Sequence, residues 1–281
     1  MDNNDSIRVL HIVSGDLWAG AEVQFYTLAK ALRNIESMQL DVILLNHGTL
    51  EQKLRSKGIN VVVHDESEYN GFQILQKLVS SIRKARPDIV HTHRIKENIL
   101  GSIAALTTGS PALRTAHGAP EHSFGWTQLL KKSFVFIDWF CGRFLQKKTI
   151  AVSEDLAKIL QRSFPANRIT VIENGIDIDA FNNLAYDAST SRNNTSIDLK
   201  IGLVGRLVPV KRIDIFIMVA QYMMLNRPDI SCSFHIFGDG PMLEDLQRLS
   251  NELHTENIVH FEGHRDDIHW QLKNLDYLLM P

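Results

Sequence analysis

Residues 8–13 read RVLHIV, a short run of mostly β-branched and apolar residues, and the loop Ser14-Gly15-Asp16-Leu17-Trp18-Ala19-Gly20-Ala21-Glu22 follows it. Behind the loop, Glu22–Asn34 carries apolar residues at helical spacing. This strand, loop and helix sets a rhythm that the chain repeats. Leu40–Leu45, Asn60–His64, Asp88–His93 and Ala112–Ala116 read as further strands, with helical segments at Phe72–Arg86 and Asn98–Leu106. Thr149–Val152 and Ile169–Ile172 continue the series. Strands that are apolar throughout, each separated from the next by a helix, belong to a parallel sheet covered on both faces.

The rhythm stops at Asn182–Ser196 (NNLAYDASTSRNNTS), a stretch rich in Asn, Ser and Thr that reads as a linker. It restarts with strands at Leu199–Val204, Ser231–Phe237, Ile258–Glu262 and Tyr277–Met280 and helices at Ile213–Leu225, Met242–Leu253 and Ile268–Asn274. The expected fold is therefore α/β, with two Rossmann-like domains at residues 1–181 and 198–281 and a linker at 182–197. Their parallel sheets are expected to face a central cleft, since open parallel sheets bind ligands at the carboxyl ends of their strands. The chain ends at Pro281 directly after a strand-like segment, DYLLMP, so the second domain reads as incomplete.

Composition narrows the function. The 281 residues are 44% hydrophobic and 22% charged, ordinary values for a globular chain with material for two cores. Thirty Lys and Arg against 32 Asp and Glu give a net charge of −2, which supplies no general basic field for nucleic acid. Cys141 and Cys232 are the two cysteines, too few for a disulfide framework and too far apart for a metal knuckle. The polar start, Met1–Ser6, has no basic-then-apolar leader, and no apolar run reaches about 18 residues. A cytoplasmic location is expected.

Gly15 and Gly20 have the glycine spacing of a phosphate-binding P-loop, but Ala21 and Glu22 stand where that motif needs Lys and Ser or Thr. A carboxylate there would repel phosphate. What remains is a glycine at a helix N-terminus, suited to an anion or a sugar hydroxyl, or a glycine kept for close packing. In the second half, Gly202-Leu203-Val204-Gly205-Arg206-Leu207-Val208-Pro209-Val210-Lys211-Arg212 leaves a strand with three cations and no acid in its own run. Arg206, Lys211 and Arg212 beside Gly205 would clamp a diphosphate, a planar fork and point charges meeting oxygens that gain charge as a leaving group departs.

The motifs AGAE (19–22), VHTH (90–93), AHG (116–118), AVSE (151–154), IENGID (172–177), GRLVPVK (205–211), FGDGP (237–241) and FEGH (261–264) stand in one order along the chain. In that order the sequence resembles the retaining GT-B glycosyltransferases of group 1, or family 4, from Ile7 to Pro281. The resemblance implies a nucleotide-sugar donor held mainly by the C-terminal domain and an acceptor, a glycan or lipid-linked glycan, held mainly by the N-terminal one. By position it implies that Arg206 and Lys211 bind and stabilise the diphosphate and that Gly20 and Gly205 approach the donor. His117 would contact the donor sugar near its reacting carbon, and Gly263, His264 and Arg265 would border the base. Retention in such enzymes is usually explained by front-face attack, with no metal or other cofactor. Ala19 replaces the family's usual first glycine of Gly-Gly-Ala-Glu. The family's Glu-x7-Glu segment, which holds donor sugar and ribose, is absent from these 281 residues. The alternative expectation is thus a catalytically incomplete GT-B fragment, acting as a partner subunit or pseudo-enzyme. Nucleotide-sugar 2-epimerases share the fold but need a pair of acids in the cleft, and no such pair is evident.

Three other patterns bear on function. Asp177-Ile178-Asp179 follows a turn rather than a strand end, which argues against a metal there. His91, His93 and His117 could meet as zinc ligands, but no Asp, Glu or Cys completes the set, and polar contacts at the strand ends or satisfied sheet-edge histidines are the other readings. Finally, Trp126–Lys148 holds six aromatic and five basic residues against the single acid Asp138. Read as one helix, Leu130, Phe134, Ile137, Cys141 and Leu145 would face the core. Lys132, Phe136, Trp139, Arg143 and Lys147 would form an opposite stripe suited to an anionic membrane surface or to a protein contact. A peripheral position at the inner face of the membrane would suit a lipid-linked acceptor.

Overall fold

Along β1 (Ile7–Val13) and β2 (Met38–Leu44), alternate side chains enter two different cores. Leu10, Ile12 and Ile43 join Ile74, Leu78, Ile82 and Ala104 on one face of the sheet. Val13, Val42 and Leu44 join Phe25, Ala29, Leu50 and Leu54 on the other. Both faces are therefore apolar, which is why these strands read as continuous hydrophobic runs. The computed structural model describes residues 6–16, 18–118, 129–178, 198–265 and 267–281. The chain divides into two units, residues 1–176 and 177–281. The linker read at 182–197 lies outside the described residues, as does Asp179.

In the first unit the strands are all parallel, in the order β3-β2-β1-β4-β5-β6-β7. The remaining strands are β3 (Asn60–Val63), β4 (Ile89–Thr92), β5 (Ala112–Ala116), β6 (Gln146–Ala151) and β7 (Ile169–Val171). Helices α1 (Gly20–Arg33) and α2 (Thr49–Ser56) supply the core on one face, and α3 (Gly71–Ala85) and α4 (Ile95–Thr108) the core on the other. Local chemistry sets their ends. Asn70 accepts from the Phe72 and Gln73 amides while the Gln73 side chain accepts from the Asn70 amide, a capping box that starts α3. Gly109, at φ 74°, ends α4 in the left-handed conformation. Helix α2 was not legible in the sequence, because TLEQKLRS offers only Leu50 and Leu54, both fully buried, as apolar signal.

The single helix read over 126–148 is corrected by the structure. Among the described residues, α5 (Leu129–Phe140) passes into a π-helical turn, Cys141–Leu145, and the chain then enters β6. Pairing with β5 takes precedence over helix continuation here: Gln146 and Thr149 are buried in the sheet and Lys147 is a strand residue. The core stripe also fails, since Phe134 and Ile137 are exposed while Cys141 is buried. α6 (Glu154–Leu160) follows, capped by the Ser153 hydroxyl on the Leu156 amide.

A buried polar network ties α5 to the sheet. Arg114 of β5 donates to both Asp138 carboxylate oxygens of α5 at 3.0 and 3.1 Å and lies over the Phe164 ring at 4.5 Å. Asn98 donates to the same Asp138 at 3.1 Å and accepts from Thr92, which in turn accepts from Gln146. Gly142 leaves room for this guanidinium, since a Cβ there would lie 2.2 Å from Arg114 Nη2.

The second unit repeats the architecture in a smaller parallel sheet, ordered β10-β9-β8-β11. Its strands are β8 (Asp198–Val204), β9 (Ser231–Phe237), β10 (Val259–Gly263) and β11 (Tyr277–Leu278), with helices α7 (Ile213–Asn226), α8 (Leu243–Glu252) and α9 (Ile268–Lys273). Phe216 of α7 and Phe234 of β9 are fully buried edge to face, centroids 5.3 Å apart. Each contributes about 2–3 kcal/mol by burial alone.

Candidate active site

In the first sheet the strand order reverses between β1 and β4, and ligands of such sheets bind at the carboxyl ends of the strands at that point. The loop after β1 ends at α1, whose first residue is Gly20. A Cβ on Gly15 would come within 3.3 Å of the Asn46 carbonyl oxygen, so that glycine serves packing. A Cβ on Gly20 would meet nothing within 4 Å, so the first residue of α1 has open space beside it. Glu22, the acid that seemed to oppose an anion here, is turned inward. It is 1% exposed, accepts from the Ala19 amide at 3.2 Å and is ion-paired to Arg94, which also reaches Asp16. The objection of repulsion is thereby removed, although the P-loop reading still fails for want of its lysine.

Four histidines line the same edge. His11 and His91 are register partners on β1 and β4, and His93 and His117 follow the ends of β4 and β5. His11 Nδ1 lies 3.0 Å from His93 Nε2, and His93 Nδ1 lies 3.2 Å from His117 Nε2. His91 Nε2 lies 2.8 Å from the Thr115 hydroxyl. Burial pushes His11 down to about 3 and holds His91 and His93 well below the ordinary histidine range. His117 is lowered by partial burial and by the Arg94 charge. All four rings are thus biased toward the uncharged form. Their nitrogens come together with His11 in the place that the sequence reading had given to His117: His11, His91 and His93 are the set whose ring nitrogens lie within 4.8 Å of one another. His11 was missed because a lone histidine inside RVLHIV carries no motif. Its signal was the strand register, which places it beside His91. Glu97 was missed as well; it is fully buried in the first turn of α4, and burial raises its carboxyl.

In the second unit, backbone rather than side chains builds the edge. Gly205, Gly238 and Gly263 close the ends of β8, β9 and β10, with the Gly205 amide donating to Phe237 O and the Gly238 amide to Gly263 O. Gly238 has φ 144°, and a Cβ there would lie 1.9 Å from the Gly205 oxygen, so no other residue fits. Lys211 ends a short 3₁₀ turn, Pro209–Lys211, and its stem crosses Gly205, with Cε 3.7 Å from where a Cβ would stand. Arg206 and Lys211 are exposed, and among the described residues neither is in an ion pair. Arg212 is different. It takes a left-handed conformation at φ 46° and bonds the Asp214 carboxylate at 2.9 and 3.1 Å, so the expected third member of the clamp is already neutralised. Arg265 pairs with Glu262 at 3.3 Å, and Glu262, held low by its hydrogen bond from His235, is shared between the two. His264 lies next to them.

On α5 the intended stripe is split. Lys132 and Phe136 are exposed, but Trp139 is half-buried, donates its indole N–H to the Ser163 carbonyl and packs on the Ala151–Leu156–Phe164 cluster. Arg143 sits in the π turn beside the Phe144 ring, and Lys147 is on β6. The exposed apolar residues of this segment are Phe134, Val135, Phe136, Ile137 and Phe140 of α5 and Phe144 of the π turn, and the consecutive ones lie around the helix rather than on one face.

Two parallel sheets, each with an open carboxyl edge, define the class as an α/β protein of paired Rossmann-like units. Residues 18–180 match the family described as Glycosyltransferase Family 4, and residues 198–281 match Glycosyl transferases group 1. The chain belongs to these families and is a glycosyltransferase of GT-B fold. An Escherichia coli relative, UDP-Gal:alpha-D-GlcNAc-diphosphoundecaprenol alpha-1,3-galactosyltransferase, is 25% identical over 99% of this chain and 74% of its own length. The Anabaena protein HepE, solved with UDP-glucose, superposes with TM-score 0.77 at 21% identity, covering 98% of this chain and 73% of that one. The lipopolysaccharide outer core galactosyltransferase WaaB superposes with TM-score 0.64 at 19% identity, covering 98% of this chain and 74% of that one.

Proposed function

We propose that the protein transfers a hexose from a nucleoside diphosphate sugar, with retention, to a glycan or lipid-linked acceptor in cell-surface polysaccharide synthesis. The observation that carries this is the pair of exposed cations, Arg206 and Lys211, set on the glycine-built edge of the second sheet with Lys211 lying across Gly205. Cations placed where a diphosphate gains charge lower the barrier to its departure and need no metal to do so. Gly263, His264 and Arg265 would border the base. Gly20 at the start of α1 and His117 would meet the donor sugar. The E. coli relative acts with UDP-galactose on a lipid diphosphate, and HepE was solved with UDP-glucose, which supports a uridine nucleotide and a lipid-linked acceptor.

Titration calorimetry with UDP, GDP and ADP in EDTA tests this. One nucleotide should bind, and Lys211→Ala should weaken it by about 10–100-fold, the loss of one charge-assisted contact. Wild-type affinity in that variant would end the clamp. No binding by any nucleotide would favour a partner subunit that keeps the fold without a donor site.

Among the described residues no helix is long and apolar enough to cross a membrane. The exposed phenylalanines of α5, with Lys132 on the same helix, favour peripheral attachment at an anionic bilayer. Phe136→Glu with Phe140→Glu should abolish flotation with phosphatidylglycerol vesicles; unchanged flotation would remove the membrane from the proposal.

A further inference from the structure

We infer that His11, His93 and His117 form one tautomeric relay that holds the ring proton of His117 on Nδ1, making His117 a neutral donor at its outward nitrogen. A neutral imidazole carries one proton, and each of the two contacts, His11 Nδ1 to His93 Nε2 and His93 Nδ1 to His117 Nε2, needs one donor and one acceptor. Only two arrangements satisfy both. In one, every ring carries its proton on Nδ1 and the direction of donation runs from His11 to His117. In the other, every ring carries it on Nε2 and the direction runs back. The three rings therefore change together or not at all.

The buried end decides between them. His11 is 1% exposed and its Nε2 has no hydrogen-bond partner among the described residues. The first arrangement leaves a bare lone pair there. The second would bury an N–H with nothing to receive it, and orphaned buried N–H groups are rare. At the outer end Arg94, whose charge acts on His117, is itself paired with Glu22 and Asp16. Zinc is a poorer account of the same cluster. His91 and His93 are stacked, with rings 4.5 Å apart and only 19° from parallel. Lone pairs lie in the ring planes, so stacked rings send theirs side by side rather than to one point. His11 and His93 are thus positioning residues that act through His117. The consequence for donor binding rests on the proposed contact between His117 and the donor sugar; the tautomer itself does not.

Two-bond ¹⁵N–¹H spectra of the full chain labelled with ¹⁵N-histidine, with His117 assigned from a His117→Asn spectrum, read the tautomer directly. The expected wild-type result is a protonated Nδ1 and a bare Nε2 at His117, the reverse of the form that free histidine prefers in water. His93→Phe and His11→Phe keep a ring in place and should each return His117 to a mixed or Nε2-protonated state. A wild-type His117 protonated on Nε2, or a folded His93→Phe with unchanged His117 signals, would overturn the relay. So would one equivalent of tightly held Zn²⁺ in protein prepared without chelator. In the same two variants the gain in affinity of UDP-galactose over UDP should fall about tenfold, the loss of one oriented hydrogen bond. If His117→Ala leaves that gain intact while the spectra are as expected, the donor contact fails and the relay stands.

Discussion

The carboxyl edges of the two sheets are built from opposite materials. In the first unit the edge is a set of buried side chains whose charges are suppressed or paired: neutral histidines, Glu22 against Arg94, and a buried Glu97. In the second it is bare backbone at Gly205, Gly238 and Gly263, with cations left exposed above it. The contrast teaches that one fold can present directional, uncharged hydrogen bonding at one edge and concentrated charge at the other. A hydroxylated sugar suits the former and a diphosphate the latter.

The sharpest way to break this contrast is to unpair the first edge. Arg94→Met leaves the Glu22 carboxylate buried without its cation and should cost about 3–5 kcal/mol in urea unfolding of the first unit. Adding Glu22→Gln should recover much of it, and a null effect of the single variant would show that the acid is not held by this pair. Next comes the backbone edge. Gly238→Ala forces a Cβ onto the Gly205 oxygen, 1.9 Å away, and should destabilise the second unit by about 2–3 kcal/mol while weakening nucleotide binding. Equal stability would mean that the glycine floor is not rigid.

Acidification separates the two edges in a third way. His11 in the folded chain titrates near 3, below its ordinary 6.5, so the unfolded chain takes up a proton that the folded chain refuses. Its contribution to stability is complete above about pH 6.5 and is lost as pH falls toward 3; between about pH 7 and pH 5 it amounts to about 2 kcal/mol. His91 and His93 act in the same direction. Thermal unfolding at the two pH values should show the first unit losing stability, and His11→Phe should flatten the slope. The smallest effect is Gly20→Ala. Open space at that Cβ and the better helix propensity of alanine should raise stability by about 0.5–1 kcal/mol. If the α1 N-terminus receives the donor, nucleotide-sugar affinity should nevertheless fall.

Much of this architecture was legible because each strand announced itself. RVLHIV and LDVILL enter cores on both faces, and the reading of parallel strands followed from that. The motif GRLVPVK likewise read as a loop leaving a strand toward a helix, with Arg206 just past the end of β8 and Lys211 just before α7, as both are. What escaped depended on contacts between distant segments. Arg212 looked free because nothing in sequence says that a left-handed residue will fold its guanidinium back onto Asp214. Glu22 looked repulsive because Arg94, 72 residues away, is its partner only in three dimensions. The stretch 126–148 looked like one helix because its apolar spacing is helical, but the chain is helical only to Phe140, turns through Cys141–Leu145 and pairs as a strand from Gln146.

The bond between Arg114 and Asp138 has a mechanical reading. Asp138 belongs to the helix that carries the exposed phenylalanines, and Arg114 stands three residues before His117 on the strand that ends there. The helix that carries the exposed phenylalanines is thus anchored, through Arg114 and Asn98, to the strand that leads into His117 and to α4 beside it.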